Sequence, residues 1–156
     1  MTRVKPFICL VVFLAATAPA RIAGAAEQDI RSCDFEIKGR CVAGEAHVTL
    51  AGGVVKRLEV TVIWCGRRDH PAYICSIDST RGEADAVWSE DGDATVIANT
   101  SPFNPHEPDR VKLTVGRQVS IDLHDTQSLG RCGAGAALPL TIVIPARKGA
   151  CRVRLP

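Results

Sequence analysis

The sequence has few aromatic side chains and no common catalytic motif. It contains two Trp, one Tyr and four Phe. It has no G-x-S-x-G elbow, no H-E-x-x-H zinc motif, no P-loop and no G-x-G-x-x-G fingerprint. Sugar-binding domains commonly expose Trp or Tyr, whereas Trp88 and Tyr73 are better explained here as core residues. These absences favour a non-catalytic protein without a cofactor.

Long apolar runs are missing beyond the amino-terminal segment. There, Arg3 and Lys5 precede a short apolar stretch, and small residues at 23–25 form a typical cleavage site. The stretch is shorter than the roughly 20 residues that span a bilayer. We therefore expect residues 1–25 to be a cleaved signal peptide, and residues 27–156 to be a single secreted domain without a transmembrane segment.

Neither sign of charge predominates. The chain has 19 Lys and Arg against 17 Asp and Glu. Three of the basic residues, Arg3, Lys5 and Arg21, lie in the signal segment, so 19 less three leaves 16 basic against 17 acidic residues. A balance near zero gives no reason to expect binding to nucleic acid or to an anionic membrane.

The number of cysteines bears on which of them form disulfides and on the compartment of the protein. Of seven cysteines one lies in the signal segment, and the other six are Cys33, Cys41, Cys65, Cys75, Cys132 and Cys151. An even number in an exported chain indicates disulfides, and six cysteines allow 15 pairings, among which the sequence does not choose. Order along the chain favours the local pairs 33–41, 65–75 and 132–151.

The segment TVIWCGRRDHPAYIC (61–75) offers a Cys–His–Cys arrangement. Nine residues separate its cysteines, whereas zinc sites usually have two to four between such a pair, and a fourth ligand is missing. We interpret both cysteines as disulfide-bonded. Arg67, Arg68 and His70 then lie at a loop tip, which is where β-scaffolds often carry binding residues. The alternative is a solvated, charged turn.

Alternating apolar residues predict an all-β fold, an antiparallel β-sandwich or small barrel stabilised by disulfides. The strand-bearing segments are hairpins at 46–64, 83–98 (turn at Asp91-Gly92) and 111–123, a buried strand in 138–145 and an edge strand in 151–156. Matching apolar residues across each hairpin sets the expected register. The expected pairs are Ala46 with Leu58, Trp88 with Thr95, and Leu113 with Ile121.

A Pro-rich segment, NTSPFNPHEPDR (99–110), cannot pair as a strand along its length. We expect it to project from the domain and to offer Phe103 and His106 to a partner. Together with the 66–71 tip, it is the predicted contact surface.

Asp122 and His124 stand two residues apart on one strand face. Such a pair could begin a metal site, with His106 as a further ligand, or could serve acid–base chemistry. The alternative is the ordinary polar side of a half-buried strand, because both residues alternate with apolar neighbours.

The run WSEDGDATV (88–96) resembles the W-x-K-G-x-x-A-x-L stretch of the C-type periplasmic lysozyme inhibitors, which are small exported β-barrels with a disulfide. The Lys is absent here and the spacing carries one extra residue, so no residue role is transferred. The resemblance implies only that an exported β-domain of this kind can act as an inhibitor.

We therefore expect an exported, periplasmic or secreted β-domain that acts as a binding or inhibitor-type module on a protein or envelope component. The alternatives are a small periplasmic enzyme or metal-binding protein that uses Asp122 and His124, and a structural protein associated with the envelope.

Overall fold

The computed structural model describes residues 27–66, 72–84, 86–99, 109–126, 132 and 136–156. These residues form ten strands joined by turns and longer connections. The strands are β1 (Gln28–Ile37), β2 (Val42–Ala51), β3 (Val54–Trp64), β4 (Tyr73–Thr80), β5 (Ala86–Asp91), β6 (Ala94–Asn99), β7 (Asp109–Val115), β8 (Val119–Asp122), β9 (Thr141–Ile144) and β10 (Arg152–Arg154).

The strands form two antiparallel sheets. Sheet A has the order β1-β2-β3-β4, and sheet B has the order β10-β9-β8-β7-β6-β5. Buried side chains from both sheets form one apolar core. The all-β prediction is confirmed, and of the two architectures left open the structure is the sandwich.

Alternating burial along each strand shows which face of each sheet forms the core. In β3, Leu58, Val60 and Val62 are fully buried, while the residues between them are partly exposed. Successive side chains of a strand point to opposite faces, so one face of each sheet packs inward and the other faces solvent.

The first hairpin differs from its prediction in loop length and register. Its turn is Gly52-Gly53, two residues at φ 59° and 79°, a region that glycine enters at little steric cost. A register shift beside Thr49 then adds one residue to β3, so Ala46 pairs with Val60 instead of Leu58. The bulge restores apolar pairing, which a two-residue turn alone would have lost.

The second hairpin is shifted by two residues from its prediction. Its turn is Gly92-Asp93, and Trp88 pairs with Ile97 instead of Thr95. A shift of two keeps every side chain on its expected face, because the strand period is two. Trp88, Ile97 and Thr95 all remain on the side that packs toward the core.

The remaining strand predictions are confirmed. Leu113 pairs with Ile121 across a three-residue loop, β9 is a strand within 138–145, and β10 is an edge strand of sheet B. Strands β1 and β4 were not assigned from the sequence.

All six mature cysteines are in disulfides, but none of the expected local pairs forms. Cys65 and Cys75 cannot meet, because β3 and β4 align Trp64 with Tyr73 and Val62 with Cys75, which leaves the two cysteines offset along the sheet. Each bridge instead joins separate parts of the fold. The pairs are Cys33–Cys151, Cys41–Cys65 and Cys75–Cys132. Three such disulfides indicate an oxidising, exported environment.

Residues 1–25, the predicted signal peptide, lie outside the described part of the chain. Within the described residues, no helix is long and apolar enough to cross a membrane.

Candidate functional site

Two disulfides and one indole hydrogen bond hold several connections together at one end of the sandwich. Cys41–Cys65 joins the β1–β2 and β3–β4 connections, and Cys75–Cys132 joins β4 to the β8–β9 connection. Trp64 donates its indole N–H to the carbonyl oxygen of Ala137, at 2.9 Å. We call this region the stapled end.

Both predicted contact loops are attached at the stapled end. The β3–β4 connection leaves Trp64 and returns at Tyr73, two residues that pair directly. The β6–β7 connection returns at Asp109, and the next residue, Arg110, donates its backbone N–H to the carbonyl oxygen of Asp125 in the β8–β9 connection. The predicted contact residues themselves lie outside the described part of the chain: Arg67, Arg68, His70, Phe103 and His106.

Two large apolar side chains lie side by side on the outer face of sheet A. Ile63 in β3 pairs with Ile74 in β4, and their exposed fractions are 42% and 62%. Single exposed apolar residues are ordinary on protein surfaces. A directly opposed pair forms a continuous apolar patch, and this one lies at the base of the β3–β4 connection. We call these two side chains the isoleucine pair.

Open grooves extend the isoleucine pair across β1 and β2. One has a volume of about 520 Å³ and an adjoining one about 480 Å³, and both are lined by Glu36, Ala43 and Ile63. Gly44 lines the first groove. A Cβ at Gly44 would lie 2.5 Å from Cζ of Phe35, so the Phe35 ring packs directly over the glycine. Gly44 shares the inward-facing side of β2 with the buried Val42 and Ala46, so this contact lies on the core side of the groove wall.

Carboxylates predominate on the outer face of sheet A. The outward-facing acidic residues are Asp34, Glu36, Glu45, Glu59 and Asp78, against the cations Lys56 and Arg57. Arg57 makes two hydrogen bonds to Asp78, at 2.9 and 3.1 Å, and an ion pair with Glu59 at 3.0 Å. The hydrogen bonding to Asp78 raises the pKa of Arg57. A chain that is nearly neutral overall thus has an acidic face.

The structure brings Asp122 and His124 together at the end of β8. Oδ1 of Asp122 lies 2.5 Å from Nδ1 of His124 and accepts the His124 backbone N–H at 3.0 Å. Both side chains are about half exposed. Partial burial alone would raise the pKa of Asp122, but the backbone and side-chain hydrogen bonds from His124 outweigh it and lower the pKa.

A small polar cleft of about 240 Å³ lies beside this pair on sheet B. Its charged lining residues are Asp91, Arg110, Lys112, Asp122 and Asp125. Lys112 is paired with Asp91 at 3.1 Å. The residues described by the structure contain no group of three or more His, Cys, Asp or Glu that could hold a metal ion.

The acidic face and the isoleucine pair were missed from the sequence. In the sequence, Ile63 alternates into the same strand face as Glu59 and Thr61, a pattern that indicates a polar side, and the strand β4 was not predicted. The sequence signal for β4 is the segment YICSIDST. Each of its two alternate sets of residues contains one isoleucine, so periodicity alone does not identify the buried face of the strand.

No protein-family description matches the chain, and neither the curated proteins nor the solved structures contain a significant match.

Proposed function

We propose that this protein is an exported, non-catalytic binding module of the periplasm or the extracellular space. Its contact surface is the outer face of sheet A beside the stapled end, together with the contact residues predicted in the 66–71 and 99–110 segments. The observation that carries the proposal is the isoleucine pair, because it is an exposed apolar surface at the place where a predicted contact loop is attached.

The surroundings of the isoleucine pair support this assignment. Interfaces combine an apolar centre with a polar rim. Here the apolar centre adjoins grooves lined by Ala43 and by carboxylates such as Glu36 and Glu45. The partner is a protein or envelope component, and an inhibitor-type role fits a module that binds without reacting.

The stapled end supports the proposal as a rigid base for the loops. Binding residues are commonly placed on loops held by a stable scaffold. Arg67, Arg68 and His70 on one loop, and Phe103 and His106 on the other, are the side chains that we assign to partner contact.

The Asp122–His124 pair has a structural role in this proposal. Oδ1 of Asp122 accepts the backbone N–H two residues further on, which is a common way for Asp to close a turn after a strand. Most of the residues that line the cleft with Asp122 are charged, and one of them, Lys112, is already paired with Asp91. An ordered turn at the stapled end explains the pair without catalysis.

Affinity capture with matched surface variants tests the proposal. The baits are the mature protein, the double variant Ile63→Ser/Ile74→Ser, a 66–71 loop replacement, and the control Val87→Ser. Val87 is a suitable control because it is 70% exposed on β5 of the other sheet. Each bait is applied to envelope and extracellular extracts.

We expect a protein or envelope component that the mature protein and Val87→Ser retain, and that Ile63→Ser/Ile74→Ser loses. Weaker retention by the loop replacement would extend the surface to the β3–β4 loop. Equal retention by all four baits would contradict the proposed surface.

A further inference from the structure

Strand β4 is an edge of sheet A, with Asp78 as its one charged side chain and no covering strand among the described residues. Among the described residues it pairs only with β3. Edge strands leave backbone N–H and C=O groups unpaired, and proteins usually guard them with Pro, Lys, a bulge or a covering segment. The eight residues of β4, YICSIDST, include neither Pro nor Lys, and their pairing with β3 has no bulge.

Two of the other three sheet edges are partly covered or short. At β1, the Asp34 carbonyl oxygen accepts the backbone N–H of Cys151 at 2.8 Å. Strand β10 is only three residues long and carries two arginines. Strand β5 lacks Pro and Lys, as β4 does, but its last two residues are the acidic Glu90 and Asp91.

Burial shows which backbone groups of β4 face the open side. Between its two end residues, the inward-facing residues expose at most 1% of their surface, backbone included: Cys75, Ile77 and Ser79. The outward-facing residues between the ends are exposed: Ile74, Ser76 and Asp78. Alternate residues of an antiparallel strand direct both N–H and C=O toward the same neighbour. The edge-facing groups therefore belong to the exposed set.

The side chains beside this edge define the chemistry of a complementary strand. Ile74 and its neighbour Ile63 form an apolar position at one end. Asp78 lies next to Glu59 toward the other end, and the two carboxylates share a single cation, Arg57. These three side chains keep an excess of negative charge beside the edge, which a basic side chain would complement.

We propose that β4 accepts an extended, cationic segment of a partner protein as an additional strand of sheet A. This inference rests on the proposed function, because it specifies the partner of the same surface. Main-chain hydrogen bonds to the edge provide affinity, and alternate side chains provide specificity. One apolar side chain of the segment lies level with Ile74, and its basic side chains lie toward Asp78 and Glu59.

Synthetic peptides test strand addition directly. The probe is an eight-residue peptide whose outward-facing alternate positions carry one valine, to lie level with Ile74, and otherwise lysine, with threonine at the positions between them. It is compared with a charge-reversed glutamate peptide and with a peptide N-methylated at alternate amides. Binding is measured by fluorescence polarisation to the mature protein, to Ser76→Lys and to the control Ser89→Lys. Ser89→Lys adds the same charge to β5, the edge strand of sheet B.

We expect the cationic peptide to bind and to slow amide hydrogen exchange at Ile74, Ser76 and Asp78. N-methylation, charge reversal and Ser76→Lys should each weaken binding at least about tenfold, the loss expected for two or more hydrogen bonds or for charge repulsion. Ser89→Lys should leave binding unchanged.

Absence of binding by the cationic peptide would overturn strand addition, as would equal binding after N-methylation or to Ser76→Lys. None of these outcomes would contradict the proposed function if capture still depends on the isoleucine pair, so failure of the two proposals is distinguishable.

Discussion

Cys33 in β1 is bonded to Cys151, the residue before β10, with 5.2 Å between their Cα atoms and a sequence separation of 118. The backbone N–H of Cys151 also donates to the carbonyl oxygen of Asp34, at 2.8 Å. The first strand of sheet A is thus joined to the last segment of sheet B. This bridge closes the longest covalent loop of the three disulfides.

Removing this bridge should destabilise the fold slightly more than removing Cys41–Cys65. In the chain-entropy treatment, the other two disulfides shorten the loop that Cys33–Cys151 closes to roughly 40 residues, which contributes about 4 kcal/mol, whereas the loop of 24 residues contributes about 3.5 kcal/mol. Cys33→Ser/Cys151→Ser should therefore lower the unfolding free energy by about 0.5 kcal/mol more than Cys41→Ser/Cys65→Ser. Urea denaturation of both double variants measures the difference. Equal losses would show that loop length is not the controlling factor.

The two tryptophans should respond differently to replacement by phenylalanine. The Trp64 N–H is bonded to Ala137, whereas the enclosed Trp88 N–H has no partner among the described residues. Trp64→Phe leaves a carbonyl oxygen without its donor, so it should cost about 1–2 kcal/mol more than Trp88→Phe. Thermal and urea unfolding provide the comparison. A larger loss from Trp88→Phe would contradict the role of the indole bond at the stapled end.

Gly44 should not tolerate even one added methyl group. Its Cβ would clash with the Thr61 carbonyl oxygen and would lie 2.5 Å from Phe35 Cζ. Gly44→Ala should cost about 1–3 kcal/mol or more, as overpacked sites do. Gly116→Ala is the control, because its nearest neighbour would be 3.9 Å away. Similar stability of the two variants would mean that the Phe35 ring moves aside freely.

Asp122 should make stability depend on acidic pH. Burial raises the pKa of Asp122, but the hydrogen bonds and the charge of His124 lower it by a larger amount. The folded-state pKa therefore lies below the ordinary 3.8. The folded state then favours the carboxylate, and this contribution is present above pH 3.8 and lost as pH falls through the lowered pKa. The stability difference between the wild type and Asp122→Asn should therefore shrink below about pH 4.

Urea denaturation across that range and carbon NMR titration of the Asp122 carboxyl measure this effect. His124→Ala should raise the pKa of Asp122 toward its ordinary value, because it removes the ring hydrogen bond and its charge. An unchanged titration in His124→Ala would show that the ring does not stabilise the carboxylate.

Local alternation predicted the strands better than the pairings between them. The faces of Trp88 and Ile97 follow from a period of two and survive a register shift of two residues. The Gly52-Gly53 turn and the neighbouring bulge each shift the register by one residue in the same direction, so together they keep the apolar residues on their face. Apolar matching alone cannot distinguish that from a longer loop. Strand existence is a local property, whereas register also depends on turn geometry.

The disulfides and the contact surface depend on tertiary structure and so were not predictable. Cys75 lies 57 positions from Cys132, and no local spacing indicates that pairing. Ile63 and Ile74 were both visible in the sequence, but their apposition requires the alignment of β3 with β4. The acidic face likewise appears only when four strands are placed side by side.

Methyl NMR of the mature protein with its captured partner tests the contact surface most directly. The methyl groups of Ile63 and Ile74 lie at the centre of the proposed surface, whereas Val87 is exposed on the other sheet. We predict that the isoleucine signals shift or broaden on titration with the partner while those of Val87 do not. Unchanged Ile63 and Ile74 signals in a saturated complex would contradict the account.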